Sequence, residues 1–239
     1  MAKAGQVAAQ AVAQVLKDIK VGVTLAEIDQ QVEELLTTRG ITAGFKLVPG
    51  YQYASCVTVG ADIVHGIPTD YRLQSGDVVS VDVGGYFGGL HTDCAWTVQV
   101  GTATEQDFLT AGRQALAAGS RAAVTGNRLG DIGAAIEEVV RGAGYFVVRE
   151  LVGHGVGKEL HEDPQVPGYG RRGVGQKLVA KTTLAIEVIY TKGKTSVARK
   201  NNDGWTLTTA DGSLSGLFEE TIVVEPGQAR VLTPIHEYL

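Results

Sequence analysis

Asp82, Asp93, His154, Glu187 and one of the neighbouring pair Glu219-Glu220 are the residues of this chain best placed to do chemistry. Each lies in a segment that otherwise reads as an apolar strand or a glycine-rich turn. A carboxylate in such a segment is costly unless something cancels its charge. Two divalent cations would cancel four carboxylates, and a dinuclear site of this kind is suited to hydrolysis. Plainer readings exist: the aspartates could be solvated strand acids, and His154 could sit in a mere tight turn, Gly153-His-Gly-Val-Gly157. Glu187 resists such a reading, because an acid inside residues 184–190 (LAIEVIY) needs a partner.

The elements that must carry these acids follow from side-chain periodicity. Residues 77–84 (DVVSVDVG) alternate as a strand, with Val79, Val81 and Val83 on one face and Ser80 and Asp82 on the other. Residues 90–100 (LHTDCAWTVQV) form a second strand, with Asp93, Ala95 and Thr97 sharing a face. Gly85-Tyr-Phe-Gly-Gly89 between them is a turn signal. A loop at Phe87-Gly88 would set Asp82 directly opposite Asp93, with Cβ atoms ~5 Å apart. A loop at Gly88-Gly89 would leave them diagonal on the same face. In either register two like charges repel, and a cation resolves the conflict. In residues 217–224 (LFEETIVV), Glu219 and Glu220 fall on opposite faces, and periodicity alone leaves both open.

The chain also repeats itself. Residues 24–40 and 128–144 align, with Leu25, Ile28, Glu33, Glu34 and Gly40 matching Leu129, Ile132, Glu137, Glu138 and Gly144. Both stretches have helical spacing and end on a glycine suited to a left-handed cap. Gly22 and Gly126 precede them in register, and earlier helices are expected around residues 10–16 and 114–118. His65-Gly-Ile-Pro68 has a counterpart in His161-Glu-Asp-Pro164, and Leu73 leads to Asp82 as Leu178 leads to Glu187. The expectation is a single domain over 1–239, duplicated as roughly 1–103 and 104–239, each half two helices and an antiparallel sheet.

Composition narrows the class. With 239 residues, 44% hydrophobic and 20% charged, the chain can bury a sizeable core. A net charge of −5 argues against general nucleic-acid or membrane binding. Cys56 and Cys94 read as buried small apolar residues rather than a disulfide framework. No apolar run reaches the ~18 residues needed to span a bilayer, and the N-terminus lacks a secretory layout, so a cytoplasmic location is expected. Signatures of serine-hydrolase elbows, P-loops and zincin helices are absent from the sequence.

On these motifs the chain resembles the bacterial type I methionine aminopeptidases across nearly its whole length. Val64-His-Gly-Ile-Pro68, the spacing of Asp82 and Asp93, Gly153-His-Gly-Val-Gly157 and His161-Glu-Asp-Pro-Gln165 carry the likeness. So do Asp203-Gly-Trp-Thr206, Ser213-Leu-Ser215 and Glu219-Glu-Thr-Ile-Val-Val224, which favour Glu219 over Glu220. The resemblance implies an α+β pita-bread fold with two pseudo-symmetric halves. It implies two divalent ions (Co, Mn, Fe or Zn) held by Asp82, Asp93, His154, Glu187 and Glu219, with Asp93 and Glu219 bridging. It further implies Glu187 as proton shuttle, His161 at the scissile carbonyl and His65 near the scissile amide. Tyr51, Cys56, Leu160 and Trp205 fall where that family builds its methionine pocket, which should be apolar and suited to a thioether.

The implied activity is removal of initiator methionine before a small second residue. Its implied partners are the N-termini of nascent polypeptides near the ribosomal exit tunnel, and its implied state a monomer. The chain departs from the family at Leu160, usually aromatic, at Gly60, usually Asn, at Val188-Ile189 after Glu187, and at Tyr51-Gln52. Two rivals remain: a proline-directed peptidase of the same fold, which usually adds an N-terminal domain, and a non-catalytic binding protein, which tends to lose ligands.

Overall fold

The computed structural model describes residues 1–194, 196–200 and 203–239. The helices are α1 (Ala2–Asp18), α2 (Leu25–Thr37), α3 (Gln106–Ala122) and α4 (Leu129–Gly142). The early strands are β1 (Thr42–Ala43), β2 (Cys56–Val59), β3 (Asp62–Val64), β4 (Val78–Phe87) and β5 (Leu90–Gln99). Strands β6 (Phe146–Val147), β7 (Gly153–Gly155), β8 (Glu162–Val166) and β9 (Thr183–Thr191) follow α4. Strands β10 (Val197–Arg199), β11 (Leu207–Thr209), β12 (Ser215–Val223) and β13 (Arg230–Val231) complete the chain.

The expected helices form, longer at the first and third positions than the sequence pattern marked. Thr24 caps α2 reciprocally: its N–H donates to Glu27 Oε2 at 2.7 Å, and Glu27 N–H donates to Thr24 Oγ1 at 3.1 Å. At α4 the Asp131 carboxylate accepts from Arg128 N–H at 2.8 Å. Both helices are followed by a glycine in the left-handed region, Gly40 at φ 70° and Gly144 at φ 85°. Fully buried Ile132, Ile136 and Val140 lie at helical spacing along α4, each contributing roughly 1.5–3 kcal/mol by leaving water.

The two helix pairs carry the same tethers. Gly22 N–H donates to Leu73 C=O at 2.8 Å and Leu73 N–H to Val23 C=O at 2.9 Å. Gly126 N–H donates to Leu178 C=O at 3.1 Å and Leu178 N–H to Asn127 C=O at 2.7 Å. These are the positions the internal alignment pairs.

The antiparallel strands expected of each half run together: both halves contribute to a ten-stranded sheet of order β1-β4-β5-β12-β9-β7-β8, with β2, β6 and β13 alongside β4, β9 and β12, and to a smaller sheet of order β10-β11-β3. Central strands β5 and β12 join the halves. The reason is burial, since a strand paired on both edges leaves no backbone group exposed. Helix α1 packs on β4 and β5, and α3 packs on β9 and β12. The main core of Val79, Val81, Val83, Trp96, Ile186 and Phe218 lies between sheet and helices. Helix α3 approaches so closely that a Cβ on Gly112 would stand 2.4 Å from the Phe218 ring. Cys56 and Cys94 are buried and free. Among the described residues no helix is long and apolar enough to cross a membrane.

Candidate metal centre and pocket

Five neighbouring strands, β4, β5, β12, β9 and β7, each present one of the singled-out residues on the face away from the helices. The β4–β5 hairpin turns at Gly88-Gly89, because Phe87 pairs with Leu90. Asp82 therefore faces Ala95 and Asp93 faces Gly84, so the aspartates are diagonal neighbours rather than directly opposed. Gly88 and Gly89 take φ of 61° and 83°, which fits a glycine pair at the turn.

The registers assemble two adjacent rows across the sheet. One runs Asp82, Ala95, Glu219, Glu187. The next runs Gly84, Asp93, Thr221, Ala185, His154. Small residues Gly84, Ala95 and Ala185 alternate with the acids in these rows, and at Gly84 the Phe45 ring packs where a side chain would stand, 2.7 Å from a Cβ built there. Ligand atoms of Asp82, Asp93 and Glu219 lie within 4.8 Å of one another, as do those of His154, Glu187 and Glu219. Asp93, His154 and His161 form a third such group. His154 Nε2 stands 3.5 Å from Glu187 Oε1 and 3.9 Å from Asp93 Oδ2. Glu220 points the other way, toward α3, where the Ser120 hydroxyl donates to it at 2.5 Å.

The electrostatics call for positive charge. Burial pushes Asp82, Glu187 and Glu219 well above the usual carboxylate range, and the charge of Asp93 adds to each. Burial likewise raises Asp93 to about 7. Burial lowers His154 to about 4, so the imidazole is neutral and cannot balance the acids. Asp82 Oδ1 and Glu219 Oε1 are buried without a hydrogen-bond partner. Orphaned oxygens among crowded acids and one neutral imidazole are the donor set that divalent cations take.

His65, His161 and the apolar residues complete the pocket. His65 directly follows β3 with φ 57°, a conformation rare outside glycine and concentrated at functional sites. His161 lies just before β8, its ring 4.4 Å from that of His154. All five cage residues and both histidines line one cavity of about 120 Å³. Its apolar wall is Tyr51, Cys56, Leu160 and Trp205 together with Phe45 and Val48. Tyr51 donates from its hydroxyl to Ser55 C=O at 2.8 Å and meets Trp205 edge-on at 5.1 Å. Trp205 is held in turn by Asp203 Oδ1, which accepts from Trp205 N–H at 2.8 Å and Thr206 N–H at 2.9 Å. Sequence reasoning missed Phe45 and Val48, which sit in the short segment before Pro49 where no periodicity marks a side chain's direction. Leu160 occupies the wall itself, whereas Gly60 lies outside the cavity in the left-handed region, at φ 65°, a conformation open to both Gly and Asn.

Comparison with known proteins shows the family and the fold. The sequence profile of metallopeptidase family M24 matches residues 1–226. A methionine aminopeptidase of Clostridium perfringens is 38% identical over 98% of this chain and 95% of its own length. The crystal structure of a methionine aminopeptidase from Thermotoga maritima superposes with a TM-score of 0.95 at 41% identity, covering 98% of this chain and 94% of that one. A prolidase from Pyrococcus furiosus shares the fold alone, at TM-score 0.75 and 22% identity, with this chain covering 62% of it. The α+β architecture is thus the pita-bread fold, and the chain belongs to metallopeptidase family M24. It is a hydrolase, a metallo-aminopeptidase similar to those of bacteria.

Proposed function

We propose that this enzyme removes the initiator methionine from nascent polypeptides whose second residue is small and uncharged, using two divalent cations. Asp82 and Asp93 would hold one ion and His154 and Glu187 the other, with Asp93 and Glu219 contributing to both. The observation that carries this reading is the continuity of the site: the acid cage and an apolar wall bearing aromatic rings line one cavity of about 120 Å³. When bound, the ions supply Lewis-acid activation of water and an anchor for a free α-amino group. Manganese, iron, cobalt and zinc all suit the donors, and availability selects among them.

This chain's side chains do the rest. Glu187 takes a proton from the attacking water and delivers it to the leaving amine. His161, neutral because burial lowers its pKa, donates an N–H to the carbonyl oxygen as negative charge develops there. His65 contacts the scissile amide. Tyr51, Cys56, Leu160 and Trp205, with Phe45 and Val48, hold the thioether side chain and exclude water. The reading treats residues 1–239 as one catalytic domain built from two related halves. It places the enzyme in the cytoplasm as a monomer meeting new chain ends at the ribosome.

Purified protein loaded separately with Mn, Co or Fe should cleave Met-Ala-Ser and leave Ala-Pro peptides intact. Cleavage of the proline peptide instead would mark a proline-directed peptidase. Turnover of neither, with metal bound, would mark a binding protein.

A further inference from the structure

The central strand pair departs from a regular antiparallel ladder on both sides of Glu219. Direct backbone pairing between β5 and β12 is confined to Ala95 with Glu219 and Cys94 with Glu220. Two positions along in either direction, where the next ladder bonds are due, a threonine hydroxyl takes their place. Thr221 Oγ1 accepts from Asp93 N–H at 2.8 Å and donates to Asp93 C=O at 2.8 Å. Thr97 Oγ1 accepts from Leu217 N–H at 3.0 Å and donates to Leu217 C=O at 2.6 Å. The arrangement has a local two-fold: on each strand the threonine beyond the central pair grips the backbone before it on the other. Both threonines are fully buried.

The network reaches a third acid-bearing strand. Thr97 spends its proton on Leu217, so the 2.9 Å contact with Ser80 is donated by the serine hydroxyl. Ser80 lies opposite Thr97 on the strand that carries Asp82. Every hydrogen-bonding site on the Thr97 hydroxyl is thereby used.

We infer that Thr97 and Thr221 are positioning residues, their hydroxyls acting as spacers that hold β5 and β12 apart and fix the separation of the Asp93 and Glu219 carboxylates. In a direct ladder one N–H···O contact spans the strands. Here the gap must hold a threonine side chain and a further hydrogen bond beyond it. Asp93 is also pinned through both its N–H and its C=O, which fixes the direction in which its carboxylate leaves the strand. Valine would fill the same volume without a hydroxyl, leaving Asp93 or Leu217 unpaired or letting the strands close. The inference rests on the reading of Asp93 and Glu219 as the bridging ligands.

The test compares Thr221→Val and Thr97→Val with Thr221→Ser and Thr97→Ser, all titrated with manganese alone. Calorimetry reads the affinity of each ion, and electron paramagnetic resonance reads the magnetic coupling of the pair, which depends on how the ions are bridged. The serine variants should match the native protein. The valine variants should bind the second ion ~10-fold or more weakly, as loss of an outer support does, with an altered coupled spectrum. Folded valine variants with native affinities and spectrum would overturn the inference. Should Thr221→Val fail to fold, Thr97→Val carries the same expectation, since it frees Leu217 rather than a ligand. Native protein that takes up no manganese would defeat the ligand reading alone. The spacer is then read from crystals of Thr97→Val or Thr221→Val, where the strands should draw together, and an unchanged gap would refute it.

Discussion

Glu219 and Glu220 are adjacent, of one type, and both buried, at 2% and 5% exposure, yet they live in opposite chemical worlds. Glu220 faces the helices, where Ser120 satisfies it and the charge of His236 favours its ionised form against the cost of burial. Glu219 faces the cage, where Asp93, Glu187 and Asp82 all push its pKa in the same direction as burial does. One side of the sheet has settled its acid with a neighbouring hydroxyl. The other has gathered four acids whose mutual repulsion protons relieve in the raised pKa values and divalent cations would relieve with the carboxylates ionised. Burial of a carboxylate is thus no mark of a metal site; burial beside other carboxylates, with oxygens left unpartnered, is.

The contrast is open to direct attack. Asp93→Ala should abolish peptide turnover and remove most metal uptake, measured by peptide assay beside elemental analysis; near-native activity would undo the bridging assignment. His161→Ala removes a donor from the same cavity without touching the acids. It should slow turnover by ~100-fold or more with metal content unchanged, so metal loss in that variant would make His161 a ligand instead.

A third test separates the two faces by pH. Glu220 has a folded-state pKa raised above its unfolded value, so its ionisation opposes folding. The stability it forfeits is absent below the ordinary carboxylate range and grows as pH rises toward the folded pKa. Glu220→Gln should therefore raise Tm at pH 7, with the gain vanishing near pH 4 and metal uptake unaffected. Glu219→Gln should likewise stabilise the metal-free protein at pH 7 while weakening metal uptake. Equal metal loss in both variants would erase the distinction drawn here. The smallest effect is expected at the apolar wall: Leu160→Phe adds a ring beside the thioether, worth roughly 0.3–1.5 kcal/mol. KM for methionine peptides should fall by about 2- to 10-fold with kcat unchanged, and an unaltered KM would remove Leu160 from the pocket.

Much of this was legible before any coordinates. The alternation of valines with Ser80 and Asp82 marked both the strand and its core face, because a strand's side-chain period is two. The glycines after α2 and α4 marked helix ends through the unsatisfied backbone groups that ends must cap. What stayed hidden turned on offsets of one residue. Placing the hairpin turn at Gly88-Gly89 rather than Phe87-Gly88 decides whether the aspartates are opposed or diagonal, and both loops are chemically plausible. Strand parity admitted Glu219 and Glu220 equally, since only the location of α3 tells which face is the helix side. Phe45 and Val48 lay in a segment without periodicity, so their part in the pocket left no trace.

The sequence by itself determined that Glu187 needs a partner, and singled out Asp82, Asp93 and a glutamate near the C-terminus as acids on apolar segments, because side-chain charge and local apolar pattern are properties of the chain. Only the tertiary structure decided that strands distant in sequence lie side by side, that their registers form two rows, and that Thr97 and Thr221 stand in the gap between the halves. Register and strand order arise from long-range packing, in which each backbone group is satisfied by residues that local pattern cannot name.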